Sequence, residues 1–369
     1  MKQKRNLSHI GREVAIIAAT VFVALLIGGI FVFIAGRNPL SAYAALLKGA
    51  FGSWYSLGET LVYATPLILT GLAIALAYRC NLFNIGAEGQ LIVGMIAAAW
   101  IGTWAGIPPV LHAVLVLMGA MLAGGIWGGI AGVLKAKTGA HEVINTIMLN
   151  YLALYFSHYL VTKPLIAPPG TSPMTRTIAG GAMFPQFVQW FFPHSYSRLN
   201  MGLFVALLAC LAVYLLLWKT TLGYEIRAVG FNQEAARYGG MKVSRTIILA
   251  MAFSGALAGL GGATVVQGVQ HKFFDLFGFP GYGFDGIAVA LIGRNHPVGI
   301  IFGAILFGAL YNGAQQMQSV SNIPKEIIGV VQGTIILFVA VESAFRWLIL
   351  PRYRKAKAAK EAGKIGSAA

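Results

Sequence analysis

The chain has 369 residues, of which 57% are hydrophobic and 10% are charged, and its mean hydropathy is +0.74. Because soluble domains carry about 25% charged residues, this composition excludes most soluble enzymes and predicts an all-α, polytopic integral membrane bundle. The formal net charge of +16 would suggest a nucleic-acid partner for a soluble protein. The chain has no basic patch with interleaved aromatic residues, so we expect no nucleic-acid binding.

Apolar runs along the chain predict about ten transmembrane segments, since a helical span takes about 20 apolar residues. The runs cover residues 14–35, 60–78, 88–105, 110–134, 142–161, 201–218, 246–269, 284–293, 298–314 and 326–346. The eighth run is too short to cross a bilayer as a regular helix. It is either tilted, extended into the flanking sequence, or one part of a broken pair.

The distribution of basic residues predicts the orientation. Most of the 27 Lys and Arg residues fall on the side that carries both termini, and the positive-inside rule places that side in the cytoplasm. We therefore expect a cytoplasmic N-terminal segment at 1–13, a transmembrane domain at 14–346 and a basic cytoplasmic tail at 347–369. That domain has a long outer loop at 162–200 and a cytoplasmic loop at 219–245.

The two long loops leave alternatives open. The outer loop contains six prolines and the aromatic cluster Trp190, Phe191 and Phe192, so it cannot be one regular helix. It either caps the bundle or docks a partner from outside. In the cytoplasmic loop, residues 232–238 predict a short helix that Asn232 caps and two glycines end. This loop either contacts a soluble partner or is a solvated connector.

Small and polar residues interrupt several apolar runs. Ala120, Gly124, Gly128 and Gly132 recur at a four-residue spacing, and Gly255, Gly259 and Ala263 repeat the pattern, which predicts close helix packing. GYGFDG, at 281–286, matches G-x-G-x-x-G but follows no predicted strand, so we reject a dinucleotide site. We expect its Asp285 near the N-terminal end of the eighth run.

Polar residues inside membrane spans either join helices by hydrogen bonds or bind a polar solute. The fifth and seventh runs contain such amides, and the polar segment NLFNIGAEGQ at 81–90 lies between two runs. The carboxylate of its Glu88 is expected at a helix N-terminus, where the helix dipole stabilises it. The candidate substrate path comprises Asn84, Glu88, Gln90, Asn145, Asn150, Gln267 and Asp285.

Missing motifs narrow the function further. No carboxylate lies near the middle of a predicted span, which argues against proton coupling and favours a neutral solute. The chain has no P-loop, so ATP cannot bind it through that motif. Cys80 and Cys210 are isolated and show no metal-ligand spacing, so we expect no metal site.

Three segments then carry a family resemblance. NLFNIGAEGQ, GYEIRAVGFNQEAARYGGMKVSR and GYGFDGIAVALIGRNHPVG occur in this order and resemble permease subunits of bacterial ABC importers. The group includes ribose, simple-sugar and branched-chain amino acid permeases, and within it the chain is most similar to nucleoside permeases that work with basic-membrane-protein lipoproteins. The resemblance implies a non-enzymatic subunit that moves a purine nucleoside or simple sugar across the bacterial plasma (inner) membrane.

The resemblance also implies partners and a coupling segment. ATP and Mg²⁺ would bind a separate ATP-binding subunit, a second permease subunit would complete the path, and a substrate-binding lipoprotein would deliver the solute. Spans two to five and seven to ten would form two repeats in contact with membrane lipids. The residues implied in coupling to the ATPase are Gly230, Asn232, Ala235, Ala236, Arg237 and Gly239. The alternatives are a stand-alone facilitator or secondary transporter and, third, a membrane enzyme built around His141-Glu142 or His296.

Overall fold

The computed structural model describes residues 21–187, 197–321, 326–334 and 336–337. The predicted N-terminal segment, the cluster Trp190 to Phe192 and the basic tail lie outside the described residues. The described residues are helical or irregular and form no β-strand, apart from one isolated bridge between Met174 and Phe274.

The helices are numbered here in chain order. Their bounds are α1 (Val21–Ile34), α2 (Pro39–Phe51), α3 (Trp54–Arg79), α4 (Ala87–Gly102), α5 (Pro109–Thr138), α6 (Glu142–Thr162), α7 (Gly202–Lys219), α8 (Thr221–Phe231), α9 (Gln233–Tyr238), α10 (Val243–Val265), α11 (Tyr282–Ile292) and α12 (Pro297–Ser321). A π-helical turn, Val266–Gln270, continues α10. Residues 326–334 are also helical. The described residues divide into two compact units, of which the larger lies within Tyr43–Val320 and the smaller contains the described residues before 43 and after 320.

Within the described ranges, five helices are long and apolar enough to cross a membrane, namely α3, α5, α7, α10 with its π-turn, and α12. Helices α1, α4 and α11 are apolar but shorter. Helix α6 coincides with the predicted span 142–161, yet it is not among those five. The prediction of an all-helical, multi-pass membrane protein is therefore confirmed, while the number of spans and the side of each terminus stay predictions.

The small-residue stripes bring α5 and α10 into direct backbone contact. A Cβ on Gly124 would overlap the carbonyl of Gly255, and a Cβ on Gly259 would overlap the carbonyl of Ala120. Close packing of this kind replaces the hydrophobic effect as the force between helices in lipid. The predicted packing role of both stripes is confirmed.

Helix α3 lies at the centre of the larger unit. It is 26 residues long and buried from Gly58 to Ala77 at all but two positions. Helices α10 and α11 both pack along it. Helix α11, in contrast, has only 11 residues, or about 16 Å at 1.5 Å per residue. Its length favours the broken-pair interpretation of the eighth apolar run.

Candidate functional site

The two polar breaks between apolar runs, the segments 81–90 and 281–286, meet at Glu88. Glu88 is fully buried in the first turn of α4. Its carboxylate accepts hydrogen bonds from the backbone N–H groups of Gly281 (2.6 Å), Gly283 (2.5 Å) and Phe284 (3.3 Å). The first N–H groups of a helix have no partner within the helix. Glu88 therefore closes the N-terminus of α11 while standing at the N-terminus of its own helix.

Gly283 makes this contact possible. A Cβ at this position would overlap the backbone of Glu88. Gly281, two residues earlier, has φ +92°, a left-handed conformation that glycine adopts without steric cost. The glycines of GYGFDG thus join two helix ends, and Asp285 lies in the first turn of α11 as predicted.

Amide side chains complete the surroundings of Glu88. Asn84 donates from Nδ2 to Gln90 Oε1 (2.8 Å) and to Ser254 Oγ (2.7 Å), and Gln90 Nε2 donates back to Asn84 Oδ1 (3.1 Å). Asn150 of α6 accepts from the Gly89 N–H at 2.8 Å. Its Nδ2 donates to the Ile85 carbonyl at 3.0 Å. We name Asn84, Glu88, Gln90 and Asn150 the Glu88 cluster.

The other predicted path residues form no hydrogen bond with this cluster among the described residues, although Asp285 lies in the helix turn that Glu88 caps. Asp285 accepts a hydrogen bond from the Tyr311 hydroxyl at 2.7 Å. Gln267 is fully buried and donates to the Ala182 carbonyl at 2.8 Å, while its Oε1 has no hydrogen-bond partner among the described residues. Asn145 likewise has a buried Nδ2 without a partner in the described part of the chain. A role of all seven residues in the substrate path stays a prediction.

A cavity that the sequence did not reveal lies beside the N-terminal half of α3. Its volume is about 110 Å³. We name it the α3 cavity, and its lining residues are Val62, Tyr63, Thr65, Pro66, Arg198, Asn200, Thr264, Val265, Val269, Gln270 and Tyr282. They come from four separate stretches of the chain. Only Tyr282 belongs to a motif noted in the sequence, GYGFDG, and the other three stretches carry none, so no sequence signal could have assembled the set.

An ion pair holds one side of the α3 cavity. Glu59 is buried, and its Oε2 accepts from Arg198 Nη2 (2.5 Å) and Nε (3.0 Å), while Oε1 accepts from the Arg198 backbone N–H (2.8 Å). Two guanidinium N–H groups and one backbone N–H of the same residue thus hold a single carboxylate through charge-assisted hydrogen bonds. The hydrogen bond to Glu59 raises the pKa of Arg198 above its ordinary value. The pair therefore anchors the end of the loop 162–200 on α3.

The loop 219–245 forms helices α8 and α9 at the opposite end of α3. A Cβ on Gly230 would overlap the carbonyl of Arg79, the last residue of α3. Asn232 accepts the Ala235 N–H at 3.0 Å through its side chain. The predicted short helix with its Asn232 cap is confirmed. Gly230 thus allows α8 to touch the end of the central helix.

The predicted coupling residues divide into packing and surface positions. Ala236 is 4% exposed and faces the bundle, and Gly239 ends α9. Ala235 donates its N–H to the cap. Arg237 is exposed and pairs with Glu234 at 3.2 Å. The set therefore contains both residues that hold the loop in place and a residue available to a partner.

Sequence reasoning missed the two most prominent side chains of this loop. Phe231 is 90% exposed and Tyr238 is 94% exposed, and they lie at the two ends of α9. Large aromatic residues are enriched among the side chains that anchor protein–protein interfaces. The signal in the sequence was an aromatic residue immediately before and another at the end of a polar helix. Asn232, Phe231 and Tyr238 together define a compact contact candidate on this loop.

Comparison with known proteins identifies the family of this arrangement. Residues 56–340 match the family described as branched-chain amino acid transport system / permease component. The guanosine ABC transporter permease protein NupP of Bacillus subtilis is 43% identical over 94% of this chain and 97% of its own length. The nucleoside ABC transporter permease protein NupB of Lactococcus lactis is 39% identical, covering 97% and 99%.

A third relative has a different named solute. The glucose ABC transporter permease protein TsgB13 of Haloferax volcanii is 34% identical over 91% of this chain and 88% of its own length. The family match covers all helices from α4 to α12 and nearly the whole of α3. This chain therefore belongs to the branched-chain amino acid transport system / permease component family.

Proposed function

We propose that this chain is the membrane-spanning permease subunit of an ATP-driven ABC importer for purine nucleosides, with guanosine as the model solute. The observation that carries the proposal is its likeness to NupP and NupB, which extends over 94% and 97% of the chain. A simple sugar is the second candidate, because TsgB13 is a glucose permease protein. The chain lies in the bacterial plasma membrane with both termini in the cytoplasm.

Helix α3 supports a coupling mechanism. One end contacts Gly230 of the loop 219–245, and the other half lines the α3 cavity through Tyr63. The distance along the helix from Tyr63 to Arg79 is about 24 Å at 1.5 Å per residue. A displacement of α8 by a cytoplasmic partner is thus passed to the cavity through one continuous, buried helix.

The partners follow from this mechanism. ATP and Mg²⁺ bind a separate ATPase subunit, which docks on Phe231, Tyr238 and the surface of α9. A second permease subunit completes the path, and an extracytoplasmic lipoprotein delivers the solute. ATP-driven switching works only if solute or ATP binds the two states of the assembly with different affinity.

The test is purification of the tagged chain in mild detergent with its neighbouring gene products, followed by reconstitution into liposomes. We expect an ATPase subunit and a second permease in the complex, and we expect ATP hydrolysis to rise when guanosine-loaded lipoprotein is present. Parallel liposome assays with glucose in place of guanosine decide between the two solute classes. A chain that purifies alone and passes guanosine without ATP would contradict the proposal and favour a facilitator.

A further inference from the structure

We infer that the α3 cavity is a binding site for the base of the transported nucleoside. The inference rests on the proposed function and names the place where the permease itself holds its solute. The cavity lies in the half of α3 that is remote from the loop 219–245. Because the proposed function places that loop in the cytoplasm, the cavity lies in the half of the membrane from which an imported solute enters.

The walls of the cavity suit a flat, uncharged ring. Tyr63 and Tyr282 supply aromatic surface, and Val62, Val265 and Val269 supply apolar surface. Aromatic side chains stack on any nucleobase, because every base has a π-face. The positive charge of Arg198 is compensated by Glu59 at 2.5 Å, so the cavity carries no excess charge that would require an anionic solute.

Most polar groups of the lining already have partners. Thr65 donates to the Leu61 carbonyl (2.8 Å), Thr264 donates to the Gly261 carbonyl (2.7 Å), and the Tyr63 hydroxyl accepts from Gln315 (2.6 Å). The Asn200 side chain donates to two backbone carbonyls and accepts the Gly202 N–H. A sugar with several hydroxyl groups would therefore find few free partners here, and burying unpaired hydroxyls is costly.

A small number of polar groups remain available. The Oε1 atom of Gln270 is buried and has no hydrogen-bond partner among the described residues. Pro66 has no N–H, so the Val62 carbonyl lacks its ordinary partner within α3. Arg198 uses two of its five N–H donors on Glu59 and also forms a side-chain hydrogen bond with Tyr63, so it keeps a further donor for a ligand. Two acceptors and a donor match the edge of a nucleobase, which carries N–H donors beside an acceptor.

The volume agrees with one ring system. Pockets that enclose whole drug-sized ligands measure about 300–1,000 Å³, and the α3 cavity measures about 110 Å³. One chain thus encloses the base, while the ribose extends beyond the cavity.

The test is protection of a cysteine from a small water-soluble thiol reagent. Val269→Cys places a thiol in the cavity wall, and the two native cysteines are buried. The complex of permease and ATPase subunits is labelled in the absence of nucleotide under three conditions: without added solute, with guanosine, and with ribose. We expect guanosine to slow the labelling of Val269→Cys and ribose to leave it unchanged. The control Phe277→Cys, at a residue that is 99% exposed, should label equally in all three conditions.

A second substitution tests the free acceptor. In the Val269→Cys background, Gln270→Leu should raise the guanosine concentration needed for half-protection about tenfold, the loss expected when a buried partner of a hydrogen bond is removed. Gln318→Leu is the matched control, because Gln318 is exposed on α12, and it should leave that concentration unchanged.

Guanosine uptake by the unsubstituted complex separates the two levels of the argument. Uptake without any protection of Val269→Cys would overturn the inference and leave the proposed function standing. Equal protection by ribose would overturn the assignment to the base. Absence of ATP-dependent uptake would overturn the proposed function and the inference with it.

Discussion

The Glu88 cluster and the loop of α8 and α9 use polar residues in opposite ways. In the Glu88 cluster, carboxylate and amide groups are buried and bind each other or helix ends. In the loop, Glu234 and Arg237 are exposed, and two aromatic side chains stand almost free of the protein. The polar groups of the Glu88 cluster form hydrogen bonds within the fold, whereas the loop of α8 and α9 presents exposed side chains that another molecule can contact.

This difference shows why a polar residue in an apolar chain is not by itself a transport residue. A buried group that is fully hydrogen-bonded has no donor or acceptor left for a solute, and removing one partner leaves the other unsatisfied. The Glu88 cluster therefore has the properties of a joint between α4 and α11. The α3 cavity lies between the two extremes, since most of its polar groups are paired and Gln270 Oε1 is not.

The largest expected effect is that of Gly283→Val. The side chain would collide with the Glu88 backbone, and overpacking of a tight contact costs about 1–3 kcal/mol or more. The same shift would break the hydrogen bonds of Glu88 to α11. We expect the thermal unfolding midpoint in detergent to fall by many degrees, with a matching loss of folded protein.

The matched control for this substitution lies five residues earlier. Gly278 has open space where a Cβ would be added, so Gly278→Val should leave the midpoint within a degree or two. Equal midpoints for Gly283→Val and the unsubstituted protein would refute the joint between α4 and α11.

The sequence could predict features that depend on residues close together in the chain, but it could not predict contacts between residues far apart in the chain. The α9 helix was predictable, because its cap, Asn232, and its terminating glycines are local signals. The helix α2 was not, since it lies between two predicted spans and contains a single charged residue, Lys48. Both polar breaks were visible as motifs, yet their meeting at Glu88 was not, because a hydrogen bond between residues almost 200 positions apart leaves no local pattern.

The same limit applied to function. The implied coupling residues combined Gly230 and Ala236, which are packed against the bundle, with Arg237, which is exposed. Sequence position alone does not separate these roles, since neighbouring residues of a short helix face different sides. Exposure does separate them, and it adds Phe231 and Tyr238.

The second prediction concerns these two aromatic residues. The double substitution Phe231→Ala and Tyr238→Ala removes the largest exposed side chains of the loop, and interface anchors are worth about 2 kcal/mol or more each. We expect affinity for the ATPase subunit and ATP-dependent uptake to fall more than tenfold. The unfolding midpoint of the isolated permease should not change, because both side chains make few contacts within it.

The control for the aromatic pair is Tyr155→Ala, at a tyrosine of α6 that is also largely exposed but lies outside the loop. It should leave ATPase binding intact. If the double variant bound the ATPase subunit as tightly as the unsubstituted chain, the loop would be a solvated connector instead of a docking surface.

The smallest expected effect is that of Asn232→Ala, which tests whether the loop must be folded before it docks. The substitution removes the side-chain oxygen that accepts the Ala235 N–H, and loss of such a cap costs about 1 kcal/mol. Since buried Ala236 still holds α9 on the bundle, we expect ATPase affinity to fall only about fivefold and the midpoint to stay unchanged. Asn232→Ser restores a capping oxygen and should restore affinity. A serine variant as weak as the alanine variant would show instead that the partner contacts the Asn232 amide directly, and the loop would then recognise its partner through this residue as well as through its aromatic side chains.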